Sequence, residues 1–471
     1  MTTTRRLLMA LLVVLAMVAT ACSDDGGGTE TTDEATTTTS SAPDEPDAPD
    51  DPDTPDEPDA PIEPITDDDP FDSFRGVTAD MITIGVTTAD LDELRDLGLV
   101  DINNGDVPLI WDTLVDYYNA NGGIAGRQIE VIVEEYNPVF NASADDACIV
   151  LTQDNEVFIV FGGVAGPAID SILCFVEQNA HAMIGGTHTP AHYPKREAPW
   201  AAIAMSAERR HRGTLALYQE LGLLDGNVAT YDDSSEHGAI TEDVVLPALA
   251  DLGVDIVQSF TSDIPQGDEV ALQAQAEIFA EVIDDENIDT LIIIQSQLAF
   301  GIAHMREAGY EGTIVAIDTG EIVLTVGAFD ERDPATYEDT YAPMGASRDE
   351  SWALPASQAC YDILRDAEGV DVRHPDEVPD GEANWAGGLL GPCQYLEILK
   401  AAGDIAGGDL NYDTLLQGLE LVGDIELPGV AFGSYGPDKH DANDALRIGQ
   451  FDSTVGESGS LVPVTDLQAV D

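Results

Sequence analysis

Tyr117-Tyr-Asn-Ala-Asn-Gly-Gly-Ile-Ala-Gly-Arg-Gln-Ile-Glu-Val131 joins two periodicities across one turn. Upstream of it, Val107, Ile110, Trp111, Leu114, Val115 and Tyr118 recur at spacings of three and four, the apolar stripe of an amphipathic helix. Asn121-Gly122-Gly123 stops that helix, because glycine takes the left-handed conformation at low cost. Downstream, Gln128 to Val133 alternates apolar and polar, which is the period of a strand. A helix followed so closely by a strand points to an α/β chain.

The same alternation extends in both directions. Met81 to Val86 reads as a first strand, Asn141 to Thr152 as a helix, and Val157 to Phe161 as a buried strand ending in Gly162-Gly163. Pro167 to Gln178 reads as a helix with proline in its first turn, Ala182 to Ile184 as a strand ending in Gly185-Gly186, and Ala201 to Met205 as a fifth strand. The pattern then restarts. Helices over 207–221, 240–252, 270–283 and 298–308 alternate with strands over 227–231, 254–260, 290–294 and 313–317. Two successive arrays predict two doubly wound lobes, with ligand crevices at the carboxyl ends of the strands.

The amino terminus is built differently. Arg5 and Arg6 precede the apolar run Leu7 to Ala19, too short to span a bilayer and suited to a secretion signal. Ala19-Thr-Ala-Cys22 resembles a bacterial lipobox, with Ala19 where leucine is the usual residue, and so implies that Cys22 is cleaved and lipidated. An ordinary signal cut near Ala21 would instead leave Cys22 a free thiol. Residues 23–73 follow as an acidic, threonine- and proline-rich tether, in which Pro43, Pro46, Pro49, Pro52, Pro55, Pro58, Pro61 and Pro64 recur every third residue. That period matches a polyproline II turn, and at about 3.1 Å per residue the run reaches roughly 70 Å.

The 471 residues hold 18 Lys and Arg against 90 Asp and Glu, a formal net charge of −72. Nineteen of the acids lie in 23–72, so most of the acidity belongs to the folded body. Salt adaptation and a naturally acidic lineage both account for it. Such a chain repels phosphate, so nucleic acid is not an expected partner. Catalysis is not expected either. There is no Gly-x-Ser-x-Gly elbow and no Gly-x-x-x-x-Gly-Lys loop, and no dinucleotide fingerprint follows the first strand. His188 and His192 have the spacing of a helical metal pair, but Pro190 between them forbids the helix, so no metal site and no cofactor are expected. After Cys22 four cysteines remain, which allow three pairings. In the strand order 2-1-3-4-5 the helices bearing Cys148 and Cys174 are neighbours, which favours Cys148–Cys174 and Cys360–Cys393.

The opening stretch, with its Asn-x-x-Gly-Gly-Ile-x-Gly-Arg turn, resembles the leucine/isoleucine/valine-binding proteins, the extracytoplasmic solute-binding subunits of ABC importers. The order of elements agrees from about Met81 to Phe451. The resemblance implies a type I periplasmic binding protein, or Venus-flytrap: two Rossmann-like lobes joined by three crossings, near Met205, Pro343 and Pro437. Lobe one would comprise 74–205 and 344–436, lobe two 206–343 and 437–462, and 463–471 would form a tail. A small-molecule solute, an ABC permease, a membrane reached through the lipid anchor and a monomeric state are the implied partners and assembly. The resemblance also places ligand contacts. The loop after the third strand offers the backbone of Ala165 and Gly166 but lacks the serine that amino-acid binders carry there. The loop after the fourth offers Thr187 and Thr189, which also suit a plain turn. In lobe two the matching positions are His237, Gln295 and Asp318, the last displaced by one from the carboxylate that pairs an amino group in relatives. Trp385 suits either an apolar wall for the ligand or the core. The missing serine and the displaced acid leave amides and other small solutes open beside branched-chain amino acids. The same fold also serves sensory and interaction modules. The chain shows no fused kinase, channel or membrane domain, which favours a transport receptor.

Overall fold

A computed structural model describes residues 74–96, 100, 102–189, 192–233, 240–264, 268–294, 298–317, 332–379, 381–456 and 458–470. Cys22 and the tether lie outside them. The turn that opens the sequence reading is built as expected. Helix α2 (Val107–Ala120) follows the short α1 (Leu91–Asp96), and the Asp106 side chain caps α2 by accepting from the Leu109 amide at 3.0 Å. Beyond its end Gly123 has φ +70°, and a β-carbon there would lie 1.8 Å from the Arg127 carbonyl oxygen. Only glycine fits, and the chain folds straight back into β2 (Gln128–Tyr136).

β2 pairs in parallel with β1 (Met81–Ala89) along its whole length. β3 (Ile159–Gly162), β4 (Ala182–Gly185) and β5 (Trp200–Ala201) complete a parallel sheet of order β2-β1-β3-β4-β5. Between β2 and β3, α3 (Asn141–Ile149) widens into a π turn through Asp154. The helix expected over 167–178 is present as one helical run that opens as a 3-10 turn, Gly166–Ser171, and closes as a π turn, Cys174–Gln178. Both ends of the run are held from outside: Ala168 donates to the Pro138 carbonyl, and Cys174 is bonded to Cys148. The fifth strand is also shorter than expected. At Ala202 the chain leaves the sheet and runs beside the returning segment 440–443, with Ala202 donating to His440 O at 2.8 Å and Asn443 to Ile203 O at 2.9 Å.

The second array is α4 (Ala207–Glu220), β6 (Val228–Asp233), α5 (Leu246–Asp251), β7 (Ile256–Ser262), α6 (Glu269–Glu286), β8 (Thr290–Ile294), α7 (Leu298–Glu307) and β9 (Thr313–Ala316). Its sheet runs β14-β13-β10-β9-β8-β6-β7, through β10 (Thr340–Met344), β13 (Ala445–Asp452) and β14 (Ser460–Pro463). The parallel part matches the sequence reading. The antiparallel β13 and β14 extend it, contributed by the carboxyl-terminal chain.

Between β10 and β13 the chain returns to the first sheet as α8 (Arg348–Ala353), α9 (Pro355–Glu368), α10 (Trp385–Ala406) and α11 (Tyr412–Leu421), followed by the small pair β11 (Gly423–Asp424) and β12 (Ser434–Tyr435). Buried Leu364, Leu389, Leu396, Leu399 and Leu415 from these helices share one core with Ile82, Ile84 and Trp111. The other face of the sheet is covered by α3 and the Cys174 turn. The second sheet is likewise buried on both faces, by α6 and α7 on one side and α4 and α5 on the other. Two sheets, each with helices on both faces, form two doubly wound Rossmann-like layers, the type I periplasmic binding protein fold. The favoured cysteine pairing is present, Cys148–Cys174 and Cys360–Cys393, each with Cα atoms 6.2 Å apart. Among the described residues no helix is long and apolar enough to cross a membrane.

Candidate functional site

The carboxyl ends of β3 and β4 meet through backbone alone. Gly162 and Gly185 have φ +101° and +123°, and a β-carbon on Gly185 would lie 2.0 Å from the Gly162 carbonyl oxygen. One on Gly163 would lie 2.8 Å from Gly186 Cα. The two loops therefore leave the sheet pressed together, which only glycine permits. Neighbouring side chains fix them. The buried Thr87 hydroxyl, at the end of β1, accepts from the Gly163 amide at 2.9 Å and lies 3.0 Å from Gly163 O. Trp200 Nε1 donates to Gly185 O at 2.8 Å.

Ala165 and Gly166 follow the first of these turns, and Thr187 and Thr189 follow the second. Ala165 is exposed, but its amide is not free for a ligand, because it donates to the Tyr136 hydroxyl at 2.9 Å. That phenol is buried, and burial raises its pKa. Gly166 opens the 3-10 turn that carries Asp170. Thr187 is exposed. Thr189 is half-buried, with its hydroxyl oxygen 2.8 Å from His192 Nδ1, and it accepts from the His192 amide at 3.2 Å. His192 Nε2 in turn lies 2.9 Å from Asp170 Oδ1. The His192 ring is buried, and sequence reasoning had weighed it only as half of a metal pair. The signal for its real position is the Thr-x-x-His spacing, which lets a turn fold the ring back on the threonine.

His188 takes different partners. Its buried ring stacks on Tyr193 at 3.8 Å and meets the edge of Trp200 at 5.0 Å. Burial, with His440 and Arg196 nearby, pushes its pKa down to about 3, so it is neutral. The Tyr193 hydroxyl lies 2.6 Å from His440 Nδ1, and the Arg196 guanidinium caps the Tyr193 ring at 3.8 Å. His440 belongs to the segment that pairs with Ala202, so the loop after β4 is wired directly to a crossing between the sheets.

Trp385 opens α10, where the Asn384 side chain caps the helix by accepting from the Gly387 amide at 3.1 Å. Its half-buried indole lies flat against Gly105, in the loop before α2, where a β-carbon would be 2.4 Å from Cε3. That contact is packing between the first array and the returning helices. His237, Gln295 and Asp318 lie outside the described residues. One group of metal-ligating side chains occurs among the described residues, Asp349, His374 and Asp376. It lies on and after α8, away from these loops, and Arg348 already pairs with Asp376.

The model of the family described as periplasmic binding protein matches residues 112–457, and the chain belongs to that family. Among solved structures it is similar to an ABC transporter substrate-binding protein from Desulfitobacterium hafniense in complex with leucine, at 16% identity and TM-score 0.50, covering 81% of this chain and 100% of that one. It is also similar to a leucine-, isoleucine-, valine-, threonine- and alanine-binding protein from Brucella ovis in its closed conformation, at 14% identity and TM-score 0.52, covering 83% and 96%. A third is a leucine-binding protein from Thermotoga maritima, at 15% identity and TM-score 0.50, covering 83% and 98%. No curated protein sequence matches significantly.

Proposed function

We propose that this protein captures a small polar solute, a branched-chain amino acid or a related amide or amino compound, between two lobes and delivers it to an ABC permease. The lobes are 74–205 with 344–436, and 206–343 with 437–462. Lipidated Cys22 holds the protein outside the cytoplasmic membrane as a monomer, and 23–73 spaces it from the surface. The observation that supports the reading is the pair of abutting Gly162-Gly163 and Gly185-Gly186 turns at the carboxyl ends of β3 and β4, the end at which doubly wound sheets bind ligands, with Thr187 and Thr189 following the second turn. The solute docks at this end. Closure brings His237, Gln295 and Asp318 to its other side and expels water, which strengthens each polar contact. The work is binding and release, with no chemical turnover.

Thermal melting of the mature chain, with disulfides intact and carried-over ligand removed, tests this against amino acids, amides, polyamines, sugars and carboxylates. A solute at about 100 times its Kd stabilises by roughly 2.7 kcal/mol. A shift with leucine, isoleucine or valine assigns the amino-acid reading, and a shift with another compound moves the specificity. No shift across the panel sinks the solute-capture reading.

A further inference from the structure

We infer that His192, held by Asp170, fixes the Thr189 hydroxyl as a hydrogen-bond acceptor toward the solute, so that this loop receives an N–H or O–H group and rejects a carboxylate. The inference rests on the solute-binding reading of the same loops and adds the polarity of one contact.

Asp170, as a carboxylate, has only acceptor oxygens, so the 2.9 Å contact to His192 Nε2 requires the proton on that nitrogen. In the neutral ring Nδ1 is then an acceptor. With that ring neutral, the 2.8 Å contact between Nδ1 and the Thr189 hydroxyl is a bond that Thr189 donates. A hydroxyl has one proton, and this one is spent on His192. One of its two lone pairs is also occupied, by the His192 amide at 3.2 Å. What Thr189 still offers is a single lone pair. A ligand amide, ammonium or hydroxyl can donate to it, whereas a carboxylate would place oxygen against oxygen with no proton between them.

Burial makes the arrangement firm. His192 is 3% exposed, so its ring cannot turn to water for another partner, while Asp170 is more than half exposed. The chain also ties the turn after β3 to the loop after β4, the two segments that the glycine crossing presses together. The Ala165 amide, the other donor expected to face a carboxylate, is spent on Tyr136 in the same way. Two groups that would recognise an anion are thus turned inward. His192 is a positioning residue here: it acts through Thr189.

Two measurements on the mature chain test this. Nitrogen-15 spectra of the histidine rings at about pH 8, above the ordinary histidine range, report which ring nitrogen of His192 carries its proton, with assignment by loss of the signal in His192→Leu. An Nε2-protonated neutral ring is expected, and an Nδ1-protonated ring overturns the inference. Binding is then compared for two matched pairs, isovaleramide against isovalerate and leucinamide against leucine. The amide member should bind at least about tenfold more tightly, since a site built for one hydrogen-bond polarity discriminates strongly against the other. His192→Leu should narrow that ratio about tenfold by freeing the Thr189 proton. Asp170→Asn, at an exposed position that carries little folding risk, should narrow it in the same direction. A tighter carboxylate member in the wild type, or a ratio unmoved in both variants, overturns the inference and leaves solute capture standing. Binding by neither member of either pair, and by nothing in the wider panel, removes both.

Discussion

Arg127 shows how one side chain can hold several segments together. It is 4% exposed, yet its guanidinium has carbonyl partners in every direction: Thr78 O at 2.8 Å, Ala125 O at 3.2 Å, Gly407 O at 3.3 Å and Gly408 O at 2.6 Å. Three stretches far apart in sequence, before β1, before β2 and after α10, meet on one planar fork. Arg127→Met would bury those carbonyls without a donor and is expected to cost about 3 kcal/mol, read as a lower urea midpoint. Arg127→Lys keeps the charge but not the fork, and should recover less than half of that. A loss below about 1 kcal/mol for the methionine variant would show that water replaces the fork. The turn around Arg127 was legible in sequence, because glycine and periodicity are local signals. The role of its side chain was not, because three of the four carbonyls it serves come from before β1 and from after α10, far from the turn in sequence. Thr189 was legible in the same partial way. Its position came from the family motif, but its hydroxyl's direction depends on His192 and Asp170, and Asp170 lies on a different loop. Two buried histidines add a pH dependence at this scale. Burial and the Arg75 guanidinium, 3.0 Å from Nδ1, push the His181 pKa down to about 4, and His188 falls to about 3. The unfolded chain takes up protons at these residues near pH 6.5 and the folded chain does not. Their stabilising contribution is therefore complete above about pH 6.5 and is lost as pH falls toward 4 and 3. His181→Asn should flatten the upper part of that acid limb in pH-dependent melting, and an unchanged slope would contradict the assignment.

At the scale of elements, the two disulfides act on helices that the sheets alone do not order. Cys148–Cys174 spans 26 residues and joins α3 to the helical segment after β3, while Cys360–Cys393 spans 33 and joins α9 to α10. Closing loops of these lengths removes unfolded-state entropy worth about 3.5 kcal/mol each. Reduction under native conditions should therefore lower stability by several kcal/mol, and replacing one pair by alanines should cost about half as much as replacing both. Equal costs for one pair and for both would mean that the bridges act on one cooperative unit. The helix over 167–178 was legible, but its 3-10 start and π end were not, because its residues have ordinary helical spacing and the restraints come from Pro138 and Cys148. The first four strands were legible, from runs of three to six apolar or alternating residues, two of them ending in paired glycines. β5 was not, because Ala202 and Ile203 pair with the segment around Asp441, some 240 residues away in sequence. β13 meets α8 through an ion pair, in which Arg447 holds Glu350 by two bonds of 3.0 and 2.6 Å. Arg447 and the Ser347 amide hold the Glu350 pKa down to about 2. A carboxylate with a lowered folded pKa stabilises above its unfolded value, and that contribution is lost between about pH 4.5 and 2. Glu350→Gln should remove this lower acid step and leave the histidine step above it in place. The glutamate is nearly half exposed, so the step is small.

For the whole molecule the decisive quantity is where the few bases are placed. From residue 73 onward the chain holds 16 Lys and Arg against 71 Asp and Glu, a net of −55. Several of those bases are spent inside. Arg209 pairs with Asp441 and Asp444, and Lys439 reaches Asp444 at 3.0 Å, all beside the crossing segment. Arg127 and Arg447 are buried as well. The surface acids are left to repel one another, and compaction raises that cost relative to the unfolded chain. Screening should relieve it. Raising KCl from about 0.1 to 1 M shortens the Debye length from about 10 to 3 Å, which silences surface repulsion but hardly touches the buried pairs. The melting temperature is therefore expected to rise steeply with KCl, with most of the gain complete by about 1 M. Sucrose at matched osmolarity serves as the uncharged control and should give a smaller shift. A melting temperature that is flat or falling in KCl would mean that the acids are compensated in the folded state, and the crossing's buried pairs would then be part of a wider network.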